Sequence, residues 1–83
     1  MNWSNKNVLV TGAGGFIGSH LVEKLLAMDA NVTAFVHYNS RNDWGMLEQI
    51  PEERKSQIKI ISGDISDTFA VKKAVQNQDV VFH

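Results

Sequence analysis

The chain has 83 residues, enough for one small domain, and a domain of that size buries only about 60% of the surface its unfolded form exposes. Eight basic against nine acidic side chains leave a formal charge of -1, without a Lys or Arg run longer than a pair, which argues against a nucleic-acid footprint or an anionic-membrane anchor. Cysteine is absent, which excludes disulfides, a thiolate nucleophile and cysteine-ligated zinc and suits a reducing compartment.

The N-terminal MNWSNKN is polar and has no apolar signal region, so the expectation is a soluble cytoplasmic protein. The first predicted strand is Val8-Leu9-Val10. A helix is expected from about Gly15 to Met28, with Phe16, Ile17, Leu21, Val22, Leu25 and Leu26 on one stripe and His20, Glu23 and Lys24 on the polar face. Asp29-Ala30-Asn31 punctuates, and Val32 to Val36 reads as a second strand rich in β-branched and aromatic side chains. The polar stretch from His37 to Gln57 carries a short helix around Trp44 to Gln49 and a break at Pro51. A third strand is expected at Ile58 to Ile61. Another helix follows at Thr68 to Asn77, with Phe69, Ala70, Lys73, Ala74 and Asn77 at helical steps and Asp67 or Ser66 as its cap. The fourth strand is Asp79 to Phe82. Strands alternating with helices predict a parallel α/β sheet. The chain stops inside an apolar strand, VVFH, which leads to the expectation that residues 1–83 are the first half of a doubly wound Rossmann-type domain within a longer protein.

Between the first strand and the first helix stands Thr11-Gly12-Ala13-Gly14-Gly15-Phe16-Ile17-Gly18. Glycine in a helix interior costs roughly 1 kcal/mol relative to alanine, so four in eight residues need a compensating reason. A glycine-rich turn that feeds a helix N-terminus aims unsatisfied backbone amides and the positive end of the helix dipole at one point, where a diphosphate fits. In this reading Gly12 makes the turn, Gly15 lets phosphate approach, and Gly18 packs the helix on the strand; a flexible loop is the alternative. A P-loop requires Lys and then Ser or Thr after the last glycine, and Gly18 is followed by Ser19-His20.

TGAGGFIGSHLVEKLL resembles the opening of the extended short-chain dehydrogenase/reductase family, whose members bind NAD or NADP through T-G-x-x-G-x-x-G. SGDISD is similar to that family's G-D-x-x-D after the third strand, and DVVFH to its fourth strand. The resemblance implies cofactor contacts at Gly12, Gly15, Phe16, Ile17 and Gly18, with Asp64 meeting the adenine and Ile65 lining the same pocket. Without the resemblance, Asp64 is a turn residue beside Gly63. The place where an NAD-binding fold carries an acid for the ribose, at the end of the second strand, is assigned here to Val36. The loop His37-Tyr38-Asn39-Ser40-Arg41 then offers a cation, donors and an imidazole, so NADP is expected over NAD, with His37, Asn39, Ser40 and Arg41 as ribose-phosphate contacts. The bland alternative is a solvated loop whose Arg41 touches nothing.

The phrase VHYNSRNDWGMLE resembles the loop of nucleotide-sugar 4,6-dehydratases acting on GDP-mannose or UDP-N-acetylhexosamines. That likeness implies a nucleotide-sugar substrate and a homodimer. It also implies a catalytic Tyr-x-x-x-Lys, but Tyr38, the single tyrosine, is followed four residues on by Asn42, so no catalytic residue is assigned. His20, His37 and His83 form no metal set, and Trp3 and Trp44 read as packing aromatics. A 4-epimerase or reductase of the same family, or a sensor that holds NADP without turnover, are the competing readings.

Overall fold

The computed structural model describes residues 3–37 and 45–82, the side chain of Met46 excepted. Its elements are β1 (Asn7–Thr11), α1 (Phe16–Ala27), β2 (Asn31–His37), a 3-10 helix (Gly45–Gln49), α2 (Glu52–Lys55), β3 (Lys59–Gly63), α3 (Thr68–Val75) and β4 (Val80–Phe82). All four strands run parallel in the order β3-β2-β1-β4. This is the run 3-2-1-4 with which a doubly wound dinucleotide-binding sheet begins, and the strand order reverses between β1 and β4.

β1 and β2 are central and covered on both faces, which is why they read as nearly unbroken apolar runs. On one face Val8, Val10, Val32, Ala34 and Val36 pack beneath Val22, Leu25 and Leu26 of α1, with Leu47 and Ile50 closing the same cluster. On the other face Leu9 and Phe35 meet Ala74, flanked by Ile61 and Val71. Burying each such aliphatic side chain is worth roughly 1.5–3 kcal/mol. Among the described residues no helix is long and apolar enough to cross a membrane.

α1 ends in a Schellman motif. The amides of Asp29 and Ala30 donate to the carbonyls of Leu26 and Leu25 at 3.0 and 3.1 Å, and Asp29 takes the left-handed conformation, φ 62°, that this motif requires. Asn31 then enters β2 by donating its amide to Lys6 O at 2.8 Å. At the other flank of β1, Asp79 clasps Asn7: the Asn7 amide donates to Asp79 Oδ2 at 2.8 Å and the Asp79 amide to Asn7 O at 2.7 Å. Asp79 therefore precedes β4 rather than opening it.

Several expectations are corrected. Phe16 and Ile17 do not join the buried stripe of α1; they are 66% and 81% exposed, because they occupy its first turn, beyond the end of the strands. Phe69 is 76% exposed: α3 lays Val71 and Ala74 on the sheet, and Phe69 lies two residues, about 200°, around the helix from Val71. Ile58 precedes β3 and is buried with the α1-side cluster. α2, unforeseen in the polar stretch, follows Pro51 directly, and Lys55 ties it to the 3-10 helix through Glu48 and to its own first turn through Glu52, both at 3.3 Å.

Candidate cofactor site at the carboxyl ends of the strands

The glycine turn leaves β1 as a continuation of the sheet. The Ala13 amide still donates to Phe35 O at 3.4 Å, and the Gly15 amide then turns back to Gly12 O at 3.1 Å. Ala13 is fully buried and points into the α1-side core. Gly12 has φ +63°, a left-handed conformation that costs other residues roughly 1–2 kcal/mol. Gly15 is the N-cap of α1 and supplies no side-chain cap. The first helical hydrogen bond is Ser19 N to Gly15 O at 2.9 Å. By helix geometry the amides of Phe16, Ile17 and Gly18 therefore point out of the helix end with no intrahelical acceptor. No acidic side chain stands in this first turn, so no carboxylate of the helix itself offsets the dipole's positive end, an arrangement that favours an anion there.

Beside the turn opens a mostly apolar cavity of about 270 Å³, lined by Thr11, Gly12, Phe35, His37, Gly63 and Ile65. Its position follows from register. Thr11 pairs with Phe35 and Phe35 with Ile61, while His37 pairs with Gly63, so side chains on the α3 face of the sheet converge at its carboxyl edge. Thr11 also donates its hydroxyl to Phe82 O at 3.3 Å, tying β1 to β4 where the strand order reverses. A polar cavity of about 330 Å³ lies at the opposite end of the strands, among Asn7, Asn31, Thr33, Lys59 and Gln78. It is remote from the glycine turn, and open α/β sheets bind ligands at their carboxyl ends.

The sequence-predicted residues fall into three groups. Gly12, Gly15, Phe16, Ile17 and Gly18 form the turn and helix start, and His37 and Ile65 line the adjoining cavity. Asp64, between the lining residues Gly63 and Ile65, has its carboxylate turned to Ser66: Oδ1 accepts from the Ser66 amide at 2.9 Å and from its hydroxyl at 2.8 Å. These two bonds hold the Asp64 carboxyl below its usual range, with the charge of nearby His37 adding to the effect. Ser66 is thereby the partner of Asp64 and not the cap of α3; Asp67 fills that role through Oδ1, which accepts from the amides of Phe69 and Ala70. Asn39, Ser40 and Arg41, like Tyr38, Asn42, Trp44 and His83, lie outside the described residues.

One assignment changes. Val36 does not occupy the ribose position: it is 2% exposed and packs beneath α1, while β2 runs one residue further and His37 meets the cavity. Strand alternation decides this, since neighbouring side chains take opposite faces. The same alternation, counted back from His37 in twos, would have marked Phe35 as a cavity residue. Thr11 and Gly63 are not legible that way, because their roles depend on pairing between strands.

Residues 9–83 match the family model described as GDP-mannose 4,6 dehydratase. The chain is 37% identical over 75 residues to uncharacterized protein 052L of frog virus 3, covering 90% of this chain and 20% of that protein. It is 36% identical over 78 residues to the UDP-N-acetyl-alpha-D-glucosaminuronate decarboxylase of Bacillus cytotoxicus, covering 94% of this chain and 23% of that enzyme. Among solved structures, the epimerase Mth375 from Methanothermobacter thermautotrophicus superposes with a TM-score of 0.76 at 35% identity, over 98% of this chain and 23% of that one. The chain spans about a fifth to a quarter of the length of these relatives.

Proposed function

The chain belongs to the GDP-mannose 4,6 dehydratase family, and from that premise we propose that it is the cofactor-binding part of an NADP-dependent nucleotide-sugar 4,6-dehydratase. The observation that carries the reading is Gly15. Its backbone is extended, φ -81° and ψ 175°, and a Cβ there would meet nothing nearer than Gly12 O at 3.4 Å, an ordinary contact. The protein's own packing does not demand glycine at this position. A diphosphate lying against the helix-terminal amides does.

In this reading the amides of Phe16, Ile17 and Gly18 hold the diphosphate, and the adenosine end enters the cavity over Phe35, between His37 and Ile65. Asp64, fixed by Ser66, presents its carboxylate at the cavity rim as an acceptor. The chemistry that a bound nicotinamide supplies is reversible hydride transfer, from C4 of the hexose and back to C6 after water has left across C5 and C6. The present residues bind and orient; the proton-moving Tyr-x-x-x-Lys that this chemistry requires is not among them. The preference for NADP is supported by an imidazole, and no carboxylate, at the end of β2, since an acid there would repel a 2′-phosphate.

The test is calorimetric titration of the full-length protein with NADP+ and NAD+, followed by incubation with GDP-mannose. Binding of NADP+ tighter than NAD+ and a 4-keto-6-deoxy product are expected; no uptake of either nucleotide removes the reading. A nucleotide-sugar epimerase is the second reading, favoured by the similarity to an epimerase structure. An inverted C4 hydroxyl with C6 still oxygenated would establish it in place of the dehydratase.

A further inference from the structure

The glycine turn is touched from outside by a residue far along the chain. Gly45, the first residue of the 3-10 helix, has φ +62°, and a Cβ placed on it would lie 2.6 Å from Gly14 O and 3.3 Å from both Gly14 C and Gly14 Cα. The backbone of the 3-10 helix is thus seated directly on the peptide between Gly14 and Gly15. That helix is a firm platform: Leu47 is fully buried and Ile50 is 5% exposed, both in the α1-side cluster, and Ile50 N closes its end on Leu47 O at 3.1 Å. Lys55 braces it further through Glu48.

We propose that Gly45 is a positioning residue for the cofactor: by lacking a side chain it lets the 3-10 helix buttress Gly14 and so fixes the direction of the amides that receive the diphosphate. The proposal rests on the reading of the glycine turn as the cofactor site. The turn is held from within by Gly18, which sits over Gly12 and Ala13, and from without by Gly45. Of the two surfaces that meet at Gly14, one is pinned by buried apolar side chains, and the other is the half-buried to exposed Gly14-Gly15 end of the turn, which lies beyond the buried Ala13 and has no side chain to anchor it. A Cβ at position 45 is therefore accommodated by displacement of the Gly14 peptide. Backbone strain is separable from the contact, because asparagine tolerates the left-handed conformation while still carrying a Cβ.

The experiment uses the full-length protein and its Gly45→Ala and Gly45→Asn variants, with dissociation constants for NAD+ and NADP+ measured beside melting curves. Both variants are expected to fold and to bind either nucleotide at least about tenfold more weakly, a change that ordinary calorimetry resolves. A folded variant that binds within about twofold of the parent overturns the proposal. Should the substitutions prevent folding, hydrogen exchange on the parent protein decides: on adding NADP+, protection is expected to rise together in residues 13–18 and 46–50, and a rise confined to 13–18 overturns it. Failure of the parent to bind either nucleotide overturns the cofactor site itself, an outcome distinct from loss confined to the variants.

Discussion

Gly18 lies against the Gly12 peptide so closely that a Cβ on it would fall 3.0 Å from the Gly12 carbonyl carbon and 2.9 Å from Ala13 Cα. Both neighbours are backbone, and Ala13 is wedged in the core, so nothing cheap can yield. Gly18→Ala is expected to cost about 1–3 kcal/mol, the usual range for overpacking, and to weaken nucleotide binding more than tenfold. Gly12 presents the opposite case, with no atom within 4 Å of an added Cβ but a φ of +63°. Gly12→Ala should cost only its conformational strain, about 1–2 kcal/mol, and Gly12→Asn less. Urea denaturation of the full-length variants checks the order.

Gly63→Ala separates stability from binding. The new Cβ would stand 3.2 Å from Phe35 Cζ, and Phe35 lines the open cavity of about 270 Å³, so the ring can yield into that space. Thermal stability is expected to change by less than about 1 kcal/mol, as for tolerated core swaps. Affinity for NADP+ should fall, because the ring then occupies volume assigned to the adenosine end. Equal affinity in a titration of parent and variant would contradict the placement.

Asp67→Ala removes the acceptor for two amides at the start of α3. A loss of about 1 kcal/mol is expected, seen as a lower urea midpoint with an unchanged slope. Nucleotide affinity should be unaltered, since Asp67 is not among the residues of the cavity.

Asp64 yields a pH dependence with a definite sign. Its carboxyl is held below the ordinary value of 3.8 by the two bonds from Ser66, so the folded state binds this proton less readily than the unfolded state. The resulting stabilisation is fully present above the unfolded value and is lost as pH falls through the lower, folded one. Parent and Asp64→Asn proteins should therefore differ most near neutral pH and converge as pH falls through the lowered, folded value. Melting temperatures recorded across that range check it, and a gap that widens on acidification would show that the Ser66 bonds are not its source. Ser66→Ala should narrow the gap without acid.

Much of the fold is legible along the chain because its causes are local. The left-handed turn at Asp29, the Asp67 cap and the amphipathic stretch Val22–Leu26 each arise from residues within a few positions of one another. Boundaries slipped where a neighbour in space outvoted the local pattern. Asp79 left β4 to clasp Asn7, and β2 ran on to His37 because Gly63 pairs with it.

By itself the order of residues determined that a strand enters a glycine turn and leaves it as a helix, and that this unit alternates into a parallel sheet, because steric freedom at glycine and the period of apolar residues act over short distances. Tertiary structure alone decided which face of β2 meets the core, that Thr11 and Gly63 stand beside Phe35 at the cavity, and that Gly45 closes on Gly14 from 31 positions away. Each of those outcomes is set by which strands lie side by side and in what register, and parallel pairing joins segments whose separation in the chain hides their contact.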